Sequence, residues 1–139
     1  MDLTKRKLPQ FLIVVIGFVL LIGCGQGTSA SQTPKFNLEN SISPSQANSY
    51  VGDRMVVCGK VIRAYYARAV AGSPTFLNMD TGGKDNFNIV IWGKDRDNFS
   101  DFPEVLYDSR DLCVRGLIVS FQSVAEIQLR SPSQVMVIN

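Results

Sequence analysis

Two stretches of this 139-residue chain carry the same alternation, "MVVCGKVI" at residues 55–62 and "LCVRGLIV" at 112–119. Successive side chains of a strand point to opposite faces, so a run in which every second residue is apolar reads as a half-buried strand. In the first stretch Met55, Val57, Gly59 and Val61 share one face. In the second the matching face holds Leu112, Val114, Gly116 and Ile118. A glycine inside such a face marks a strand that bends or is closely approached.

Three further segments read as strands: "GSPTFLNMD" (72–80), "FNIVIWG" (87–93) and "VAEIQLR" (124–130). In the last, Ala125, Ile127 and Leu129 alternate with Glu126, Gln128 and Arg130. "TGGKDN" between the first two is a turn. The polar segment "KDRDNFSDFPEVLYDSRD" is partly helix-compatible, with Phe99 and Phe102 spaced to touch the core. Trp92, at a strand end, reads as a core plug against Phe99 or Phe102. "SPSQ" occurs twice, with two expected uses. At Ser43 it opens a helix over 44–50, with Ser43 as cap, Pro44 in the first turn and Gln46 reaching back. At Ser131 it precedes the strand-like "VMVI". Short strands with one helix between the third and fourth predict a small barrel.

The N-terminus carries a different message. Lys5, Arg6 and Lys7 precede thirteen uncharged residues, "FLIVVIGFVLLIG", and then Cys24. That is the layout of an export signal, and the run is shorter than the roughly 20 apolar residues of a spanning helix. Leu21-Ile22-Gly23-Cys24 resembles the bacterial lipobox. The resemblance implies a signal peptide of residues 1–23 cut before Cys24, and acyl chains on that cysteine that anchor the protein to the membrane. Residue 25 is Gly rather than Asp, so the inner-membrane retention signal of Gram-negative lipoproteins is missing, and an outer-membrane location is implied in such a cell. Residues 24–42 read as the lipidated terminus and a flexible linker, and 43–139 as one domain. The leader takes three of 14 basic and one of 12 acidic residues, leaving 11 of each. A neutral domain lacks the basic footprint of a phosphate binder. Residues 54–79 nevertheless hold Arg54, Lys60, Arg63 and Arg68 and no acid.

"VGDRMVVCGKVI", "GSPTFLNMD", "FNIVIWGKDR" and "LCVRGLIVSFQSVAEIQLRSPSQVMVI" together resemble bacterial OB-fold domains of the nucleic-acid-binding, tRNA-anticodon-like type. The resemblance implies an all-β fold with one or two short helices, a five-stranded Greek-key barrel. It also implies a binding surface on strands two and three with the loops between strands one and two and between four and five. Mapped here, Arg63, Tyr65, Tyr66 and Arg68 belong to the first loop (63–73), Asn78 and Asn88 to the strands, and Phe121 to the second loop (120–124). Aromatic platforms with cations hold single-stranded nucleic acid. The alternative is that Tyr65 and a neighbour close the barrel mouth while the arginines are solvated, and that Asn78 and Asn88 serve hydrogen bonding within the barrel. Cys58 and Cys113 fall on the outward parity of strands one and four, which are neighbours in an OB barrel. An exported domain meets an oxidising compartment, and a disulfide between them is the expectation.

No cofactor is expected: the chain has no histidine, and metal binding would need ligands that are missing. With no base beside any Ser or Cys, the inventory points away from an enzyme. Two classes remain. One is a membrane-tethered binder of single-stranded DNA or RNA, and the other an envelope module that binds a protein, peptide or glycan on the same scaffold.

Overall fold

A computed structural model describes residues 36–83 and 86–138. The expected signal peptide, Cys24 and the linker up to residue 35 lie outside the described residues.

The two glycine-centred stretches form the longest strands, β1 (Arg54–Tyr66) and β4 (Asp111–Phe121). Between them come β2 (Thr75–Met79), β3 (Phe87–Ile91) and the short helix α1 (Pro103–Tyr107); β5 (Val124–Gln128) and β6 (Val135–Val137) complete the chain. The strand order is β1-β2-β3-β5-β4, and β4 pairs back onto β1 to close a five-stranded barrel. The β3–β5 pair is parallel and the other barrel pairs are antiparallel. With a helix between the third and fourth strands, this is the OB-fold. The expectation of five strands holds for the barrel, and β6 adds a sixth to the sheet by pairing with Leu112–Val114 of β4.

The inward faces are those that the alternation marks. Val57, Val61, Leu77, Ile89, Leu112, Ile118 and Ile127 are completely buried, each contributing about 1.5–3 kcal/mol relative to exposure. Both glycines sit where a neighbour needs the space of a side chain. A Cβ on Gly116 would lie 2.5 Å from Cγ2 of Ile127, and one on Gly59 would lie 2.6 Å from Cγ of Pro44. Pro44 opens a 3-10 helix, Pro44–Tyr50, in the place expected for a helix. The Gln46 carboxamide accepts from the Ser43 N–H at 2.9 Å. Ala47 of this helix is fully buried, and the helix touches β1, β3, β4 and β5, plugging the barrel. The second "SPSQ" also opens a 3-10 turn, Pro132–Gln134, with Ser131 Oγ accepting from the Ser133 N–H. Both copies of the tetrapeptide therefore start 3-10 structure, and the second leads directly into β6. Ile42, the last residue of the expected linker, bridges in parallel to Val57 and is buried.

Cys58 and Cys113 are directly opposed in the β1–β4 register and form a disulfide, with Cα atoms 4.0 Å apart. The Cys58 N–H bonds to Ile42, so the pair is of the closer, non-hydrogen-bonded kind, which brings side chains together. With a sequence separation of 55 between the cysteines, the bridge stabilises the fold by about 4 kcal/mol in the chain-entropy model.

One irregularity matters for function. β1 pairs with β4 through Lys60 and with β2 from Val61 onward. Val61 lies opposite Met79 but Arg63 lies opposite Asn78, so Ile62 is an extra residue, a β-bulge. A bulge reverses which residues face inward. Unbroken alternation would place Arg63 and Tyr65 on the face of Val61. Instead Ala64 and Tyr66 pair with the buried Leu77 and Thr75, and Arg63 and Tyr65 face outward.

Filling the cleft that Gly116 leaves for Ile127 should lower stability. Gly116→Ala is expected to cost about 1–3 kcal/mol by overpacking. In urea unfolding, adding Ile127→Ala to it should cost less than the sum of the two single changes.

Candidate functional site

The outward face of β1, β2 and β3 carries two rows of side chains set by strand register. One is polar: Arg63, Asn78, Asn88 and, across the parallel pairing, Glu126 of β5. The other is mainly apolar: Tyr65, Phe76, Val90 and Gln128. Tyr65 and Phe76 pack with ring centroids 5.4 Å apart and planes inclined by 31°. The guanidinium of Arg63 lies 4.6 Å from the Tyr65 ring centroid. Asn78 donates to the Asn88 carbonyl, which fixes both amides. Arg63, Tyr65, Asn78 and Asn88 line one open groove of about 490 Å³, with Asp80 and Val124 on its walls. Tyr65 is 37 % exposed, so its edge meets solvent while Arg63 covers part of its face.

Phe121 stands at the end of β4, opposite Val124, and is 61 % exposed. The expected second loop shrinks to a two-residue turn, with Gln122 and Ser123 at φ 48° and 65°. The first loop is also shorter than expected, because β1 continues through Tyr66 and leaves only Arg68 of the four candidates in the connection.

The structure separates the two tyrosines. Tyr66 turns to the inner side, where Arg96 stacks with its guanidinium 3.8 Å from the ring centroid. Arg96 bonds the Thr75 hydroxyl and both carboxylate oxygens of Glu104, at 2.7 and 3.1 Å to the latter. Arg68 is 5.7 Å from the same ring. Tyr66 is thus part of a polar plug at the end of β1 and β2, and Arg68 leans on that plug. Partial burial pushes the Glu104 carboxyl up, but hydrogen bonds from Arg96 and from its own N–H, with the Arg96 charge, outweigh it and hold its pKa below 4.5.

Two aromatic expectations need correction. Trp92 is not a core plug: it packs on Gly72, and its indole N–H donates to the Gln128 carboxamide at 3.2 Å. That caps the outer apolar row. Phe99 is buried against Tyr107, with centroids 6.1 Å apart, whereas Phe102 is 62 % exposed. Phe76 belongs to this outward face, packed on Tyr65, although the motifs of the sequence do not single it out. Its parity with Asn78 on β2 is the available signal, since both side chains must leave the same face. Among the described residues no group of three or more acidic or cysteine side chains is placed to hold a metal ion. No helix among them is long and apolar enough to cross a membrane.

No protein-family model matches this chain, and no curated protein matches it. Among solved structures, it is similar to a protein assigned as an aspartyl-tRNA synthetase from Leishmania major Friedlin. The similarity has a TM-score of 0.48 and 11 % identity, covering 78 % of this chain and 22 % of that one. This chain therefore spans about a fifth of that protein's length. The OB-fold assignment rests on strand order and not on that likeness.

Glu104 gives a pH test of the plug. Its folded pKa is depressed, so its contribution is present above 4.5 and is lost as pH falls through the folded-state value. Glu104→Gln should lower stability at neutral pH by about 1–2 kcal/mol, the scale of a charged hydrogen-bonded pair. Thermal melts should show that difference shrinking towards acid.

Proposed function

We propose that this protein is an exported, lipid-anchored OB-fold module that binds single-stranded nucleic acid without catalysis. The observation that carries the reading is the Arg63–Tyr65–Phe76 stack beside the Asn78–Asn88 pair, together on one open face. Single-stranded DNA or RNA is held by stacking on aromatic rings and guanidinium planes, with amides reading base edges. The exposed part of the stack offers the first, and the groove between Asn78 and Asn88 offers polar partners beside it. The alternative candidates Tyr66 and Arg68 belong to the plug, and Phe121 flanks the groove beyond Val124.

One observation favours the second reading, an envelope module for a protein, peptide or glycan. Asp80 lines the groove, and the buried carboxylate of Glu126 ends its polar row. Neither attracts phosphate. A nucleic-acid ligand here relies on stacking more than on charge, and its binding has a shallow salt dependence.

Fluorescence anisotropy with labelled single-stranded oligonucleotides separates the readings. Tyr65→Ala should weaken binding by the loss of about one stacked base, roughly 1–3 kcal/mol or 5- to 150-fold. Tyr66→Ala should instead lower the melting temperature. Absence of binding at low salt would transfer the groove to the second reading.

The tether has its own support in the lipobox-like Leu21–Cys24, and a disulfide suits an oxidising compartment. In the native host, Cys24→Ser should move the protein from the membrane fraction to the soluble one or leave an uncut precursor. Unchanged fractionation and size would remove the lipid anchor.

A further inference from the structure

The outer side of the β1–β4 seam carries three arginines beside the point where the described chain begins. Arg54 lies opposite Leu117, and Val56 lies opposite Arg115. Arg115 reaches over Phe36, the first described residue, with its guanidinium 5.4 Å from the ring centroid. Arg130 joins them through Gln134, which accepts from the Arg130 N–H at 2.8 Å and donates to the Arg115 carbonyl at 3.1 Å. Two open grooves meet at Arg54. One, of about 540 Å³, runs past Leu117 to Arg130. The other, of about 580 Å³, runs past Met55 to Arg115 and Asn37. No acid lines either groove, and Glu39 and Asp53 stay outside both. Among the described residues, the guanidinium groups of Arg54 and Arg130 are in no ion pair or hydrogen bond. Both residues are exposed, and Leu117 beside them is 43 % exposed.

The position of this face matters as much as its charge. The chain leading from Cys24 reaches it at Phe36, twelve residues on. A lipid on that cysteine therefore keeps Phe36 within about 40 Å of the bilayer, even at full extension. A contact made under such a tether is intramolecular, so modest attraction is enough to populate it. Cations around an exposed leucine suit a surface of negative headgroups over an apolar interior. Tyr65 stands near the other end of β1, on the part that pairs with β2.

We propose that the face of Arg54, Arg115, Leu117 and Arg130 docks on anionic lipid headgroups and leaves the Tyr65 groove open to solvent. This rests on the lipid-anchored reading and goes beyond it, because it names the surface that meets the lipid. Phosphates of a nucleic acid would meet the same guanidinium groups. The tether, however, brings this face to a lipid surface, and the face shares no lining residue with the Tyr65 groove.

The test uses the protein purified from its native host and reconstituted with vesicles of phosphatidylcholine, alone or mixed with phosphatidylglycerol. Flotation reports the tether. Phenylglyoxal modifies accessible guanidinium groups, and peptide mass spectrometry reads each arginine separately. Each arginine brought to an anionic surface favours docking about fivefold, and three together about a hundredfold. Arg54 and Arg130 should therefore react at least about tenfold more slowly in the mixed vesicles, and added salt should restore their rates. Arg63 and Arg68 should react alike in both vesicles. Arg54→Gln should raise the Arg130 rate in mixed vesicles about fivefold. Equal rates at Arg54 and Arg130 in the two vesicles, with the protein floating in both, would overturn the docked face and leave the anchor standing. Equal slowing of all four arginines, or an Arg130 rate unmoved by Arg54→Gln, would also overturn it. Protection by oligothymidylate on phosphatidylcholine vesicles, with none from phosphatidylglycerol, would assign the face to nucleic acid and overturn the proposal. Flotation with the mixed vesicles alone would support the face and overturn the anchor. Failure to float with either would overturn both.

Discussion

The pairing of β1 with β4, from Arg54 opposite Leu117 to Lys60 opposite Asp111, converts a row of strands into a barrel. Without it both strands would present an unpaired edge to solvent, and the inward residues of the whole sheet would have nothing to close over. Much of the molecule is arranged around this seam. The disulfide crosses it, the parallel bridge from Ile42 runs beside it, and β6 extends it. Gly59 and Gly116 lie on the seam as well, where the plugging helix and Ile127 come closest.

Closure has a consequence for the surface. β1 must leave β4 and join β2 within one strand, and it does so through the bulge at Ile62. The extra residue turns Arg63 and Tyr65 outward and sends Tyr66 inward to Arg96. Two adjacent tyrosines thereby acquire unrelated work. One stands on an open face between an arginine and a phenylalanine, and the other is sealed beneath a guanidinium that also holds Glu104 and Thr75. The electrostatics obey the same division. Arg96 is neutralised by Glu104 inside the plug, whereas Arg63 lies over the Tyr65 ring and shares its open groove with Asp80. A neutral domain can still present local cations, because net charge says nothing about where opposite charges pair.

Much of this is legible in the sequence. The inward faces of β4 and β5, the helix at 44–50 and the opposed cysteines come from alternation, a cap and parity. Each depends on neighbours within a few residues or on the strand order of a small barrel. Arg63, Tyr65, Asn78 and Asn88 also stand out, as residue types suited to a ligand. Their sorting does not. Phe76 is hidden because an aromatic flanked by apolar residues reads as core, and Trp92 reads as interior although its indole lies over Gly72 on the outer surface.

By itself, then, the sequence determined the strand pattern, the positions that must be glycine and the cysteines that can meet, since period-two alternation and side-chain volume are local properties. Only the tertiary structure decided where β1 changes partner, and with it that Arg63 and Tyr65 face outward while Tyr66 turns to Arg96. A one-residue bulge leaves hardly any trace in composition, yet it reverses every side chain after it, and its position is set by closing the whole barrel.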